Sequence, residues 1–166
     1  MPTDEELLSR QMPHSVEAEQ AVLGSMLIDS GCVRRVAAIL RESDFSVALN
    51  QDLYRVIVIM DRDGQPIDGL TVCAEALRQS LAEEKTLRKY LAQLMEITPT
   101  AANVEMYADI VARTARRREL KTALEDGLAA LADQAPEDEV LTQLDTAMTA
   151  SSQRLESELL APKEQV

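Results

Sequence analysis

Residues 103–133, NVEMYADIVARTARRRELKTALEDGLAALAD, form one unbroken helical run, yet its apolar face changes side partway along. At about 100° per residue, Val104, Tyr107, Ala108, Val111 and Ala115 fall in one narrow stripe. Leu120, Leu124, Leu128 and Leu131 fall in a second stripe, almost diametrically opposite. A helix buried along a single side cannot carry both. The first half is therefore expected to close a core built by the rest of the chain. The second half is expected to run past that core and pack against something else.

The rest of the chain also has helical spacing. Ser15 stands where an N-cap belongs, and Glu17 and Glu19 put negative charge into the first turn, where the helix dipole favours it. Val16, Leu23 and Leu27 carry that helix to about Ile28. Gly24 interrupts it at a cost of about 1 kcal/mol relative to Ala, which close approach of a neighbouring backbone would offset, a merely tolerated glycine being the alternative. Val33, Val36, Ala37 and Leu40 mark a second helix, and a third starts near Asn50. The run Val56–Met60 is rich in β-branched residues, but Leu53, Ile57 and Met60 keep helical spacing and no partner strand is evident. Thr71 is placed to cap a fourth helix ending near Leu81. Residues 85–97 make a fifth, with Leu87, Tyr90, Leu91 and Leu94 on one side, and Thr100 is placed to cap the long helix. Aromatic residues are only 2% of the chain, and a core of Leu, Ile, Val, Met and Ala suits packed helices. The predicted class is all-α.

Residues 134–139, QAPEDE, break the long helix, with Pro136 suited to the first turn of another. In that last helix Leu141, Leu144, Met148, Ser151 and Leu155 step by three and four. Leu120, Leu124, Gly127, Leu128 and Leu131 do the same before the break. A turn this short implies antiparallel neighbours. The expected organisation is a flexible arm over 1–13, a helical head of about five short helices over 14–115, a protruding hairpin over 116–159 and a tail over 160–166. The hairpin's first helix is expected to start near residue 101, inside the head. A two-helix hairpin is marginal in water, and Thr122, Gly127 and Ser151 add little apolar area at about 25 cal/mol per Å². Pairing of the hairpin with a second copy is therefore expected, with folding back onto its own head as the alternative.

Nothing in the sequence assembles a catalytic centre. The one histidine, His14, sits beside Pro13 at a helix start, as a solvated near-cap residue would. Asp61, Asp63 and Asp68 surround a turn without calcium-loop spacing. Cys32 and Cys73 have neither metal spacing nor the number a secreted disulfide framework needs, and are expected to be reduced core thiols. The start MPTDEELLSRQMPHS has no apolar signal region, and no apolar run approaches the roughly 20 residues of a membrane helix. A cytoplasmic protein without membrane contact is expected. The formal net charge of −12 argues against tight nucleic-acid binding. Against that background stands a basic cluster, Arg113, Arg116, Arg117, Arg118 and Lys121. Arg113, Arg116 and Arg117 lie on the side that later carries the leucines. A solvated face beside Glu119 and Glu125, salt bridges to an adjacent subunit or acidic partner, and weak DNA contact are the three readings.

Three stretches carry a resemblance: PHSVEAEQAVLGSMLID (13–29), GQPIDGLTVCAEAL (64–77) and YLAQLMEITPTAANVEMYADIVARTARRREL (90–120). In order and spacing they resemble the N-terminal domain of bacterial replicative DNA helicases of the DnaB type, over roughly residues 13–155. Where that family usually has Gly-Gly before Tyr-Leu, this chain has Thr86 and Leu87, so that segment is expected to be helical. The resemblance implies a head-plus-hairpin domain whose hairpins pair between subunits, as dimers building toward a hexameric ring. It also implies docking of primase, through its helicase-binding domain, and in some systems of a loader, with Glu17 and Tyr90 as candidate contacts near the head–hairpin junction. ATP and magnesium are implied only for the ATPase domain of the full-length family, because no G-x-x-x-x-G-K-S/T loop occurs in this chain.

The expected function is thus a non-catalytic oligomerisation and docking collar acting in DNA replication, with no catalytic, cofactor or metal residues in this chain. An excised domain and a stand-alone relative both fit. The rival readings are a free-standing collar-like adaptor or inhibitor of the replication machinery, and the helicase-binding domain of a primase.

Overall fold

The computed structural model describes residue 1 and residues 15–160. The arm expected over 1–13, apart from residue 1, together with His14, the side chain of Ser15 and the tail beyond Leu160, lies outside the described residues. Among those described there are seven α-helices, two short 3-10 turns and no strand. The helices are α1 (Ser15–Ile28), α2 (Val33–Ile39), α3 (Ala48–Arg62), α4 (Gly69–Arg78), α5 (Glu84–Glu96), α6 (Val104–Ala132) and α7 (Glu137–Leu160). The chain divides into two compact units, Met1–Ala115 and Arg116–Val166.

In the first unit, α1 packs on α3 and α5, and α4 packs on α3 and α5. Leu23 and Met26 of α1, Leu53 and Ile57 of α3, Val72 of α4, and Leu87, Leu91 and Leu94 of α5 form the centre of the core. Val104, Ala108 and Val111 from the start of α6 join them, and Tyr107 is packed against the same cluster. The first of the two stripes is thus used as the periodicity required. The β-branched run Val56–Met60 lies inside α3, and Thr86 and Leu87 lie inside α5. Gly24 has the predicted use: a Cβ there would overlap the carbonyl oxygen of Leu94 and the side chain of Thr98. Only a glycine lets α1 lie this close to α5.

Local signals shift some boundaries. Asp68, not Thr71, is the N-cap of α4: its carboxylate accepts the Thr71 N–H (2.8 Å), while the Thr71 hydroxyl oxygen accepts the Asp68 N–H (2.9 Å). A carboxylate at this position satisfies an end amide and also meets the helix dipole, so it outcompetes a threonine three residues on. The long helix begins at Val104 rather than near 101; the Thr100 hydroxyl oxygen accepts the Ala102 N–H in the turn before it.

The second unit contains the later part of α6 and all of α7. The Ala135 N–H bonds to the Ala130 carbonyl (2.9 Å), with Gln134 in the left-handed region at φ 60°. This ending satisfies the last carbonyls of α6 and reverses the chain within a few residues. Pro136 then precedes α7, and its carbonyl accepts the N–H groups of Glu139 and Val140.

Candidate functional site

The seam between α6 and α7 is made largely of small residues. Gly127 is buried, and Ala123 and Ala130 are half-buried on α6. Val140 is buried, and Leu144, Ala147 and Ser151 are half-buried on α7. A Cβ on Gly127 would lie 3.2 Å from a methyl of Leu144, so the glycine is the socket for that leucine. The seam is therefore not the leucine stripe. Of the nine residues expected at the hairpin or subunit interface, only Gly127, buried, and Leu144, half-buried, are withdrawn from the surface, and these two meet each other across the hairpin. Thr122, expected to thin that seam, is exposed instead.

The other seven are exposed: Leu120, Leu124, Leu128 and Leu131 on α6, and Leu141, Met148 and Leu155 on α7. Leu124, Leu128, Leu141 and Met148 are each more than half exposed, at 61%, 69%, 67% and 61%. On both helices these positions lie about 90° round from the seam, in the same rotational sense. In an antiparallel pair that shared offset brings both rows to one side of the hairpin. Close packing of alanine and glycine inside thus leaves a two-helix apolar face outside, and such contiguous faces mark interaction surfaces.

Charged side chains at the other end of the hairpin are organised differently from the expectation. Arg116 is paired with Glu158 within the hairpin and keeps only 18% of its side-chain surface exposed, so it is not a free surface cation. Arg113 and Arg117, by contrast, are exposed one turn apart on α6. Arg154, which the sequence pattern gave no reason to single out, is buried and bonded to Glu158 (3.1 Å), with Glu119 at 3.6 Å. An arginine one residue before Leu155, off the expected three-four stripe, looks like a surface residue until its carboxylate partners are placed.

Within the first unit, the two acids of the EAE motif part ways. Glu17 is exposed in the first turn of α1. Glu19 is fully buried and does not serve the dipole of its own helix. Its oxygens accept the Ser46 N–H (2.6 Å), the Ser46 hydroxyl (2.7 Å) and the Asn50 side-chain N–H (2.9 Å), at the beginning of α3. The Tyr90 hydroxyl in turn donates to Asn50 Oδ1 at 2.5 Å. Burial raises the Tyr90 phenol above its ordinary value, opposed by hydrogen bonding with Gln20 and Asn50. Tyr90 is half-buried with its hydroxyl committed to the head, which leaves only its partly exposed ring for a partner. Among the described residues no group of three or more potential metal ligands comes together, and no helix is long and apolar enough to cross a membrane.

Comparison with known proteins agrees with the sequence motifs. The family model described as DnaB-like helicase N terminal domain matches residues 11–113. The chain is 39% identical over 120 residues to the replicative DNA helicase DnaB of Geobacillus stearothermophilus, covering 71% of this chain and 26% of that protein. It is 35% identical over 118 residues to the replicative DNA helicase DnaC of Bacillus subtilis, covering 70% and 26% respectively. The chain therefore spans about a quarter of the length of these relatives. The crystal structure of the N-terminal domain of DnaB helicase from Mycobacterium tuberculosis superposes with a TM-score of 0.78 at 33% identity, over 85% of this chain and 99% of that one.

Proposed function

The chain belongs to the family of DnaB-like helicase N-terminal domains, and from that premise we propose that it is the non-catalytic assembly and docking part of a replicative DNA helicase. The hairpin's exposed leucine face pairs with the same face of a second copy, and such dimers build toward a ring. The observation that carries this reading is the division of labour on α6 and α7: small residues face inward, and Leu124, Leu128, Leu141 and Met148 face out. Burying each of these side chains contributes about 1.5–3 kcal/mol, so a four-helix contact supplies what the lone hairpin lacks. Primase and, in some systems, a loader are the partners this assembly would receive, with exposed Glu17, Arg113 and Arg117 as their contacts. The excess of acid over base, −12 overall, leaves DNA contact weak or indirect.

Light scattering on the intact chain tests the proposal. Wild type is expected to be dimeric or larger at tens of micromolar, an order-of-magnitude working concentration for interfaces of this kind. Leu124→Glu combined with Leu128→Glu is expected to give monomers whose first unit stays folded, because both side chains are exposed in the single chain and lie outside that unit's core. A monomeric wild type, or a double variant that assembles normally, would sink the assignment.

A further inference from the structure

The last part of α7 raises a separate question: what holds it on α6? From Ser152 to Leu160 the apolar side chains point outward, with Leu155, Leu159 and Leu160 exposed by 43%, 73% and 82%. The deeply buried side chain in this stretch is Arg154, with 5% of its surface open. It is joined to Glu158 and Glu119, while Glu158 also holds Arg116 across the seam. Two arginines and two glutamates thus form a chain, Arg116–Glu158–Arg154–Glu119, that crosses between the helices twice. Nearer the turn, the seam of Ala123, Gly127 and Ala130 against Leu144, Ala147 and Ser151 presents few side chains large enough to lock a unique register.

We propose that this four-residue ionic chain is a clasp that fixes the far end of α7 in register on α6, and that Arg154 is its positioning residue. Buried ion pairs contribute little net stability compared with apolar packing, and fixing register is their best-attested use. The planar guanidinium of Arg154 suits the role because one fork can address carboxylates on two helices, which a lysine's single ammonium cannot. The clasp has a consequence for the assembly face, resting on the reading above: it decides whether Leu155 stays beside Leu120 and Leu124 on one surface.

Hydrogen exchange of the intact chain at matched protein concentration tests the clasp. Arg154→Met keeps the aliphatic bulk and removes the charge. Exchange at residues 151–160 is expected to speed up about tenfold or more, with residues 137–147 nearer the turn changed far less. Arg154→Lys should restore part of the protection. A double-mutant cycle on Arg116→Gln and Glu158→Gln should show the double variant little worse than the more severe single one. If Arg154 merely fills space, Arg154→Met leaves exchange at 151–160 unchanged, and that result overturns the clasp. Strictly additive effects of Arg116→Gln and Glu158→Gln would also overturn it. The two readings fail separately. Loosened exchange with unaltered self-association supports the clasp and counts against Leu155 as part of the shared face, whereas a monomeric wild type with normal clasp behaviour removes only the pairing.

Discussion

A carboxylate with no access to water, such as Glu19, persists only while its oxygens stay hydrogen-bonded. Glu19→Gln keeps the size but turns one acceptor into a donor, which must then face Ser46 or Asn50. If Asn50 turns its amide over to answer, its Nδ2 then faces the Tyr90 hydroxyl, which must give up its present donation and accept instead. The expected loss is about 2–3 kcal/mol in urea unfolding, against no more than about 0.5 kcal/mol for Glu17→Gln on the exposed first turn. Equal midpoints for the two variants would refute this account. In the sequence the two acids look alike, two residues apart at a helix start. Two residues are about 200° of rotation, so one must face outward when the other faces in. Which one faces in depends on Ser46 and Asn50, and these are brought to Glu19 only by folding.

At the scale of the element, two glycines on helices show how the same substitution can have different outcomes. Gly24→Ala must push apart α1 and α5, since the obstacle is the Leu94 backbone oxygen and the Thr98 side chain. Despite alanine's better helix propensity, it is expected to destabilise by about 1–3 kcal/mol. Gly127→Ala meets only a methyl of Leu144 at 3.2 Å, the far end of a flexible side chain, so the propensity gain of about 1 kcal/mol roughly offsets the crowding. Thermal unfolding of both variants checks the contrast, and comparable losses would contradict it. The helix spans themselves were legible, because 3.6-residue periodicity and turn residues are local signals. The cap of α4 lies three residues before Thr71, because Asp68 and Thr71 are both acceptable cap residues and only the folded turn, with Thr71 at the third helical position, separates their roles.

At the scale of the whole molecule, α6 serves two units with two different sides. If the exposed leucine face is completed by a second copy, folding of the second unit is linked to protein concentration. Calorimetry at about 5 µM and about 100 µM should then show a transition whose Tm rises by about 3 °C, while a transition belonging to the first unit stays fixed. Concentration-independent unfolding throughout would contradict the linkage. The opposed stripes of residues 103–133 were enough to require two packing environments for one helix, since rotation per residue is a property of the backbone alone. They did not say which residues close the hairpin and which remain outside. Leucines and heptad spacing offered the same side chains to the hairpin's own seam and to a second copy, without dividing them between the two. The structure instead seats Ala123, Gly127 and Ala130 inside, with Arg154 clasped among carboxylates, and leaves the leucines exposed. The sequence settled the period and side of each stripe because these follow from local geometry. Only the tertiary structure settled the partner of each stripe, because small residues that permit close approach and charges that need a specific counterion reveal themselves only when two distant segments are placed together.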